Sequence, residues 1–149
     1  MITNERQYRL TKAWAERFTQ GAKATETGTN LDPDMRQLYR DAYESQVSEL
    51  REQLAEYEAL QAGQIAVLEL DSLAALPDAL IRARIAARLT QKQLAARLGL
   101  KEQQIQRYEA TRYSGVSLER VQAVADALGV RIHERVTLPT NVEQEEKTT

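Results

Sequence analysis

Apolar residues recur at three- and four-residue steps over most of this chain, and only near its end do they alternate one by one. The first spacing is that of an amphipathic helix, the second that of a strand. Leu10, Trp14 and Phe18, with Tyr8 ahead of them, predict a first helix over residues 3–20 and a bulky stripe that must pack on something, with Trp14 as a core residue. Residues 20–30 are rich in Gly and Thr, hold no apolar residue larger than Ala, and read as a loop. A helix of about eight turns follows. Asp32 is placed to cap it, Pro33 suits its first position, and Gly63 closes it. Met35, Tyr39, Tyr43, Val47, Leu50, Leu54, Tyr57 and Leu60 form one apolar seam on it, and Glu44, Glu49, Arg51, Glu52, Glu56 and Glu58 between them form a solvated face. The shorter first helix folds back on this seam as an antiparallel hairpin and covers part of it. A second copy of the chain is the favoured cover for the remainder; the chain's own later residues are the alternative.

Residues 65–70, IAVLEL, fit a short strand or a helical continuation, and Asp71 or Ser72 can cap a short turn after them. Pro77 and Asp78 open a helix whose inner face is Ile81, Ile85 and Leu89. Thr90 caps the next helix, where Leu94, Ala95 and Leu98 share a face and Gly99 allows a left-handed stop. Leu100 fills the crook of a turn, and Ile105 and Tyr108 line a second helix from about Glu102. Ala95 is small where the two helices cross. After a polar loop at 110–116, Ser117 caps a last helix with Leu118, Val121, Val124, Ala125 and Leu128 inward, ended by Gly129. Val130, Ile132, Val136 and Leu138 then alternate with Arg131, His133, Arg135 and Thr137, which predicts a strand over 130–138. That strand would pair with 65–70 or with its copy across a dimer axis. The acidic, polar residues 139–149 are expected to be disordered.

The run from Thr90 to Glu109, T-Q-x-x-L-A-x-x-x-G-L-x-x-x-x-I-x-x-Y-E, resembles the XRE family of helix-turn-helix regulators, which includes the Cro-type and phage-repressor-type domains. The resemblance extends over about residues 76–130. It implies that the second helix of the motif enters the DNA major groove. Glu102, Gln103, Gln106 and Arg107 would then face bases, Arg suiting guanine and Gln suiting adenine. Gln91, Lys101, Arg112, Tyr113 and Ser114 would meet phosphate, and Gln91 would also brace the second helix. The resemblance further implies a structural ion pair between Arg84 and Glu109. Glu102 departs from a uniformly Gln- and Arg-bearing surface, because a carboxylate accepts from cytosine but repels phosphate. Many compact members of the family look like antitoxins, including those of the HigA type, which suggests a toxin protein as a second partner.

Composition sharpens this picture. The 149 residues carry a net charge of −2, which is unpromising for a DNA binder. The average hides a split: residues 78–138 hold eleven Lys and Arg against six Asp and Glu, whereas residues 1–77 hold eight against thirteen. Phosphate attraction needs local positive charge, and the basic part is where the motif lies. With no cysteine and a single histidine, His133, thiolate and multi-histidine metal sites are excluded. No glycine-rich phosphate loop or nucleophile–base set is present, so no metal, cofactor or enzymatic activity is expected. The polar N-terminus and the lack of a long apolar run predict a cytoplasmic protein without a membrane partner.

The expected architecture is mainly α. An acidic helical hairpin at 1–63 serves as a dimerisation or partner-binding arm, and a linker or short strand occupies 64–71. A helix-turn-helix domain at 72–130, a strand at 130–138 and a tail at 139–149 complete it. The expected function is that of a sequence-specific regulator, a repressor binding an inverted repeat in operator DNA as a homodimer, and in its fuller form an antitoxin. The other reading is a protein-interaction module that keeps the fold without binding DNA.

Overall fold

A computed structural model describes residues 1–28 and 30–140. Its regular elements are α1 (Glu5–Thr27), α2 (Pro33–Gln61), a 3-10 turn (Leu73–Ala75), α3 (Leu76–Ala86), α4 (Gln91–Leu98), α5 (Glu102–Ala110) and α6 (Leu118–Leu128). The fold is therefore mainly α, and no strand occurs among the described residues.

The Asn4 side chain caps α1 by accepting from the Gln7 N–H at 2.8 Å. The helix then runs well past residue 20, so most of the loop expected at 20–30 is helical. Its small and hydroxyl residues have helical uses. Gly21 lies against the Tyr43 ring, where a Cβ would stand only 3.0 Å from the nearest ring carbons. The Thr25 and Thr27 hydroxyls donate back to the Gly21 and Ala24 carbonyls, which satisfies them inside the helix. Proline opens α2 as its position suggests, although the Asp32 side chain makes no capping bond. At the other end Gly63 takes a φ of +72°, and the Gln64 N–H reaches the Ala59 carbonyl at 3.0 Å.

α1 and α2 form an antiparallel hairpin. Tyr8 stacks on Tyr57 with ring centres 5.1 Å apart and donates its hydroxyl to Glu58, while farther along Phe18 meets Tyr43. The apolar seam of α2 is divided by this arrangement. Val47, Leu54, Tyr57 and Leu60 are buried, whereas Met35 and Tyr39 near the tip of the hairpin remain exposed. Trp14 is not a core residue: it is 48% exposed, with Phe18 stacked beside it and the Arg17 guanidinium over its ring. A cation there shields the ring face and draws on its quadrupole.

The buried half of the seam needs no second copy. Ile2, Leu54, Tyr57 and Leu60 share one core with Leu80, Ile81, Ile85, Leu94, Ile105 and Val124. Arg82 pairs with Glu56 at 2.5 Å, and the Arg88 Nε donates to the Gln61 carbonyl at 2.9 Å. The core is thus continuous across residue 63, and beside the expected cover by α1, later residues of the same chain cover the seam at Leu54, Tyr57 and Leu60.

Residues 64–72 form neither strand nor helix, and 130–138 form no strand. A strand is defined by its ladder, and the last backbone bond before this segment is from the Val130 N–H to the Ala125 carbonyl. Of the expected tail, residues 141–149 lie outside the described residues.

Leu60 is 2% exposed at the junction of hairpin and motif. Leu60→Ala is expected to lower the unfolding free energy by about 2–5 kcal/mol. Urea unfolding should show coincident transitions by far-ultraviolet circular dichroism and by Trp14 fluorescence, because both parts share the core. Separate transitions would show that the hairpin folds independently.

Candidate nucleic-acid interface

The turn between α4 and α5 is built by local rules. Thr90 Oγ1 accepts from the Gln93 N–H at 3.0 Å, and Gln93 Oε1 accepts from the Thr90 N–H at 2.9 Å, a reciprocal cap. Gly99 ends α4 with a φ of +67°, and the Leu100 N–H returns to the Ala95 carbonyl. The Lys101 N–H is then taken by Gln104 Oε1 at 3.0 Å, which starts α5. Leu94, Ala95 and Ile105 are essentially sealed from solvent where the helices cross.

This packing leaves one side of α5 outward. Glu102, Gln103, Gln106 and Arg107 are all exposed, and the hairpin does not cover them. Their spacing puts them on adjoining strips of one helical face. The Gln106 Nε2 donates to Glu102 Oε1 at 3.3 Å, so this carboxylate is partly engaged within its own helix. Lys101 and Ser114 are exposed as well.

Behind that face lies a buried charged cluster. Arg84 donates to both carboxylate oxygens of Glu109, at 2.5 and 2.9 Å, and both side chains are 3% exposed. Its remaining donors reach the Leu89 carbonyl at 2.8 Å and the Thr3 carbonyl at 2.6 Å. Gln91 adds a third donor to Glu109 at 2.7 Å. One amide hydrogen of Gln91 is left over for another acceptor. The cluster therefore joins α3, α4, α5 and the start of the chain. Thr3 and Ile2 were not marked by any local pattern, since their contacts are with residues remote in sequence.

The loop after α5 divides the phosphate-facing set. Arg112 pairs with Asp78 at the start of α3, and its side chain remains 58% exposed. Tyr113 is different. It is 6% exposed, with its ring against Tyr108 at 5.6 Å between centres. Burial first, and the nearby Glu109 carboxylate second, push its phenol well above the usual range. A phosphate contact needs the hydroxyl at the surface, so Tyr113 leaves that set and joins the core.

Compared with known protein families, residues 80–135 match the helix-turn-helix family, which is less than half of the chain. The matched segment contains α4 and α5, the buried cluster apart from Thr3, and every residue on the exposed face of α5. The hairpin lies outside it. No curated protein and no solved structure matches the chain. Among the described residues no helix is long and apolar enough to cross a membrane, and no cluster of three or more His, Cys, Asp or Glu could hold a metal ion.

Removing one partner of a sealed ion pair strands the other charge. Glu109→Ala is expected to cost about 3–5 kcal/mol in urea unfolding. Gln91→Ala, which removes one bond to a charged group, should cost about 1.5–3 kcal/mol. An unchanged midpoint for Glu109→Ala would show that the pair does not hold the helices. Because the Tyr113 phenol is raised on folding, its contribution to stability is complete below the ordinary phenol value of about 10 and is lost as pH rises beyond it. Stability measured above pH 10 should thus fall less steeply in Tyr113→Phe than in the unaltered protein.

Proposed function

We propose that this protein is a sequence-specific DNA-binding regulator, a repressor that reads an inverted repeat as a dimer. One observation carries the reading: Gln103 and Arg107 stand exposed with Glu102 and Gln106 on a helix locked from behind by Arg84 and Glu109. Base reading needs polar forks on a rigid support, because each hydrogen bond to a base edge depends on placement. The match to the helix-turn-helix family over residues 80–135 supports the same reading. So does the surplus of basic residues between 78 and 138. Two motifs related by a two-fold axis would read half-sites about 34 Å apart, and occupation of a promoter by such a dimer blocks it without further chemistry. In this scheme Lys101, Ser114, Arg112 and the spare hydrogen of Gln91 would meet phosphate.

The hairpin adds a second element to the proposal. Met35, Leu38 and Tyr39 are exposed together near its tip, Leu38 to 61%. Exposed apolar clusters of this kind suit a protein partner. A toxin bound there, with the operon repressed by the other part, is the antitoxin form of the reading. Co-purification from the native host tests it, and a chain that emerges without a partner protein argues against it. The alternative, an interaction module that leaves DNA alone, predicts no binding in the experiment that follows.

Selection from a random duplex library, followed by fluorescence anisotropy, is the decisive measurement. Affinity should fall with salt at a log–log slope of about 0.9 per phosphate neutralised. Arg107→Ala should cost roughly 1–3 kcal/mol on the selected duplex and little on a random one, while Lys101→Ala should weaken both alike. Equal effects of the two variants on both duplexes would overturn the residue assignments, and no enrichment of any sequence would overturn the function.

A further inference from the structure

The outward face of α1 has a composition of its own. At about 100° per residue, Arg6, Arg9, Leu10, Ala13, Trp14 and Arg17 fall within roughly 140° of the helix surface. All six are exposed. The carboxylates of α1, Glu5, Glu16 and Glu26, lie outside that arc. Among the described residues none of the three guanidiniums has an ion-pair partner. Leu10 is 52% exposed beside the half-exposed Trp14, because α1 packs on α2 through its other side, with Tyr8 and Phe18.

This face has a shape as well as a charge. Leu10, Ala13, Trp14 and Arg17 line an open depression of about 320 Å³, and Ala13 is the smallest of the four. Residues at i, i+3, i+4 and i+7 are those that bound a hole on a helix surface, and a side chain of a facing helix fits such a hole. The Arg17 guanidinium stands 5.4 Å from the centre of the Trp14 ring, so one wall is both apolar and cationic. Trp and Arg are the side chains most often found as anchors at protein interfaces.

We propose that this face of α1 receives an acidic amphipathic helix of a partner protein. One apolar side chain of that helix enters the depression, and its flanking carboxylates meet Arg6, Arg9 and Arg17. Complementary charge sets the sign of the partner, and the four-residue hole sets its secondary structure. Anionic lipid would satisfy the charge, but two large apolar side chains offer too little area to enter a bilayer, where interfacial helices present a wide apolar face. DNA phosphates would satisfy the charge and leave Leu10 and Trp14 in water. The face is on a different helix from Gln103 and Arg107, and from Met35, Leu38 and Tyr39. The proposal therefore rests neither on DNA being the ligand nor on a toxin at the hairpin tip.

Trp14 is the only tryptophan, which makes it the reporter. Helical peptides without tryptophan are selected from a displayed random library on the full chain, and their binding is followed by Trp14 emission. Enriched peptides should carry Asp and Glu on both sides of a Leu, Ile or Met, and should shift the emission to shorter wavelength as water leaves the ring. Arg6→Glu with Arg9→Glu should weaken them about 10-fold, and Lys in place of the peptide's facing carboxylates should restore binding. Both positions are exposed, and acidic residues suit the start of a helix, so the fold should persist, which circular dichroism checks. Enriched peptides with no acidic excess, an emission that selected peptides leave unchanged, or a double variant that binds as tightly would each overturn the proposal. So would phosphatidylglycerol vesicles or a random DNA duplex that shift the emission where the peptides do not.

Discussion

The guanidinium of Arg84 is the point on which the molecule closes. Almost no water reaches it, and it donates to both oxygens of Glu109, to the Leu89 carbonyl and to the Thr3 carbonyl. A charge taken out of water is tolerable only when its donors are met. Here they are met by groups from the start of the chain, from the turn after α3 and from α5. Each of those segments is held in place by the same planar fork. The pair is thus a constraint on geometry first, and only secondarily a source of stability.

Alongside that constraint, the hairpin and the helix-turn-helix segment share one core. Ile2 is buried next to the Thr3 carbonyl bond, and Leu54, Tyr57 and Leu60 enter the core that Leu94 and Ile105 complete. The exposed face of α5 inherits its rigidity from this arrangement. Gln103 and Arg107 can be solvated on one side because Ile105 and Glu109, on the same helix, are fixed on the other. Amphipathicity here divides labour within three turns of helix.

Apolar surface that the core does not use lies on α1 at Leu10 and Trp14, near the tip of the hairpin, in the irregular segments after α2 and α6, and at Leu73 and Leu118. The polar face of α5 and these apolar residues thus sit on different elements of one scaffold. Each could change without disturbing the packing that supports the other.

Helix periods, caps and glycine stops follow from neighbouring residues, and so Thr90, Gly99, Ser117 and Gly129 marked their helices from the sequence alone. The exposed polar face of α5 was legible for the same reason, and Arg84 with Glu109 only through the family resemblance, since no local rule selects charges for burial. What depends on distant contacts was not legible. Gly21, Thr25 and Thr27 read as a loop until Tyr43 is brought against Gly21, and Trp14 read as core until α2 proves to cover the other side of α1. Tyr113 read as a surface residue until the turn after α5 folds its ring inward. The alternating run at 130–138 has the period of a strand, but a strand exists only with a neighbour, and one chain does not supply it. The sequence by itself determined the caps and glycine stops of α4 and α6 and the polar face of α5. Only the tertiary structure decided which apolar stripes find cover, because burial depends on contacts between segments far apart in the chain.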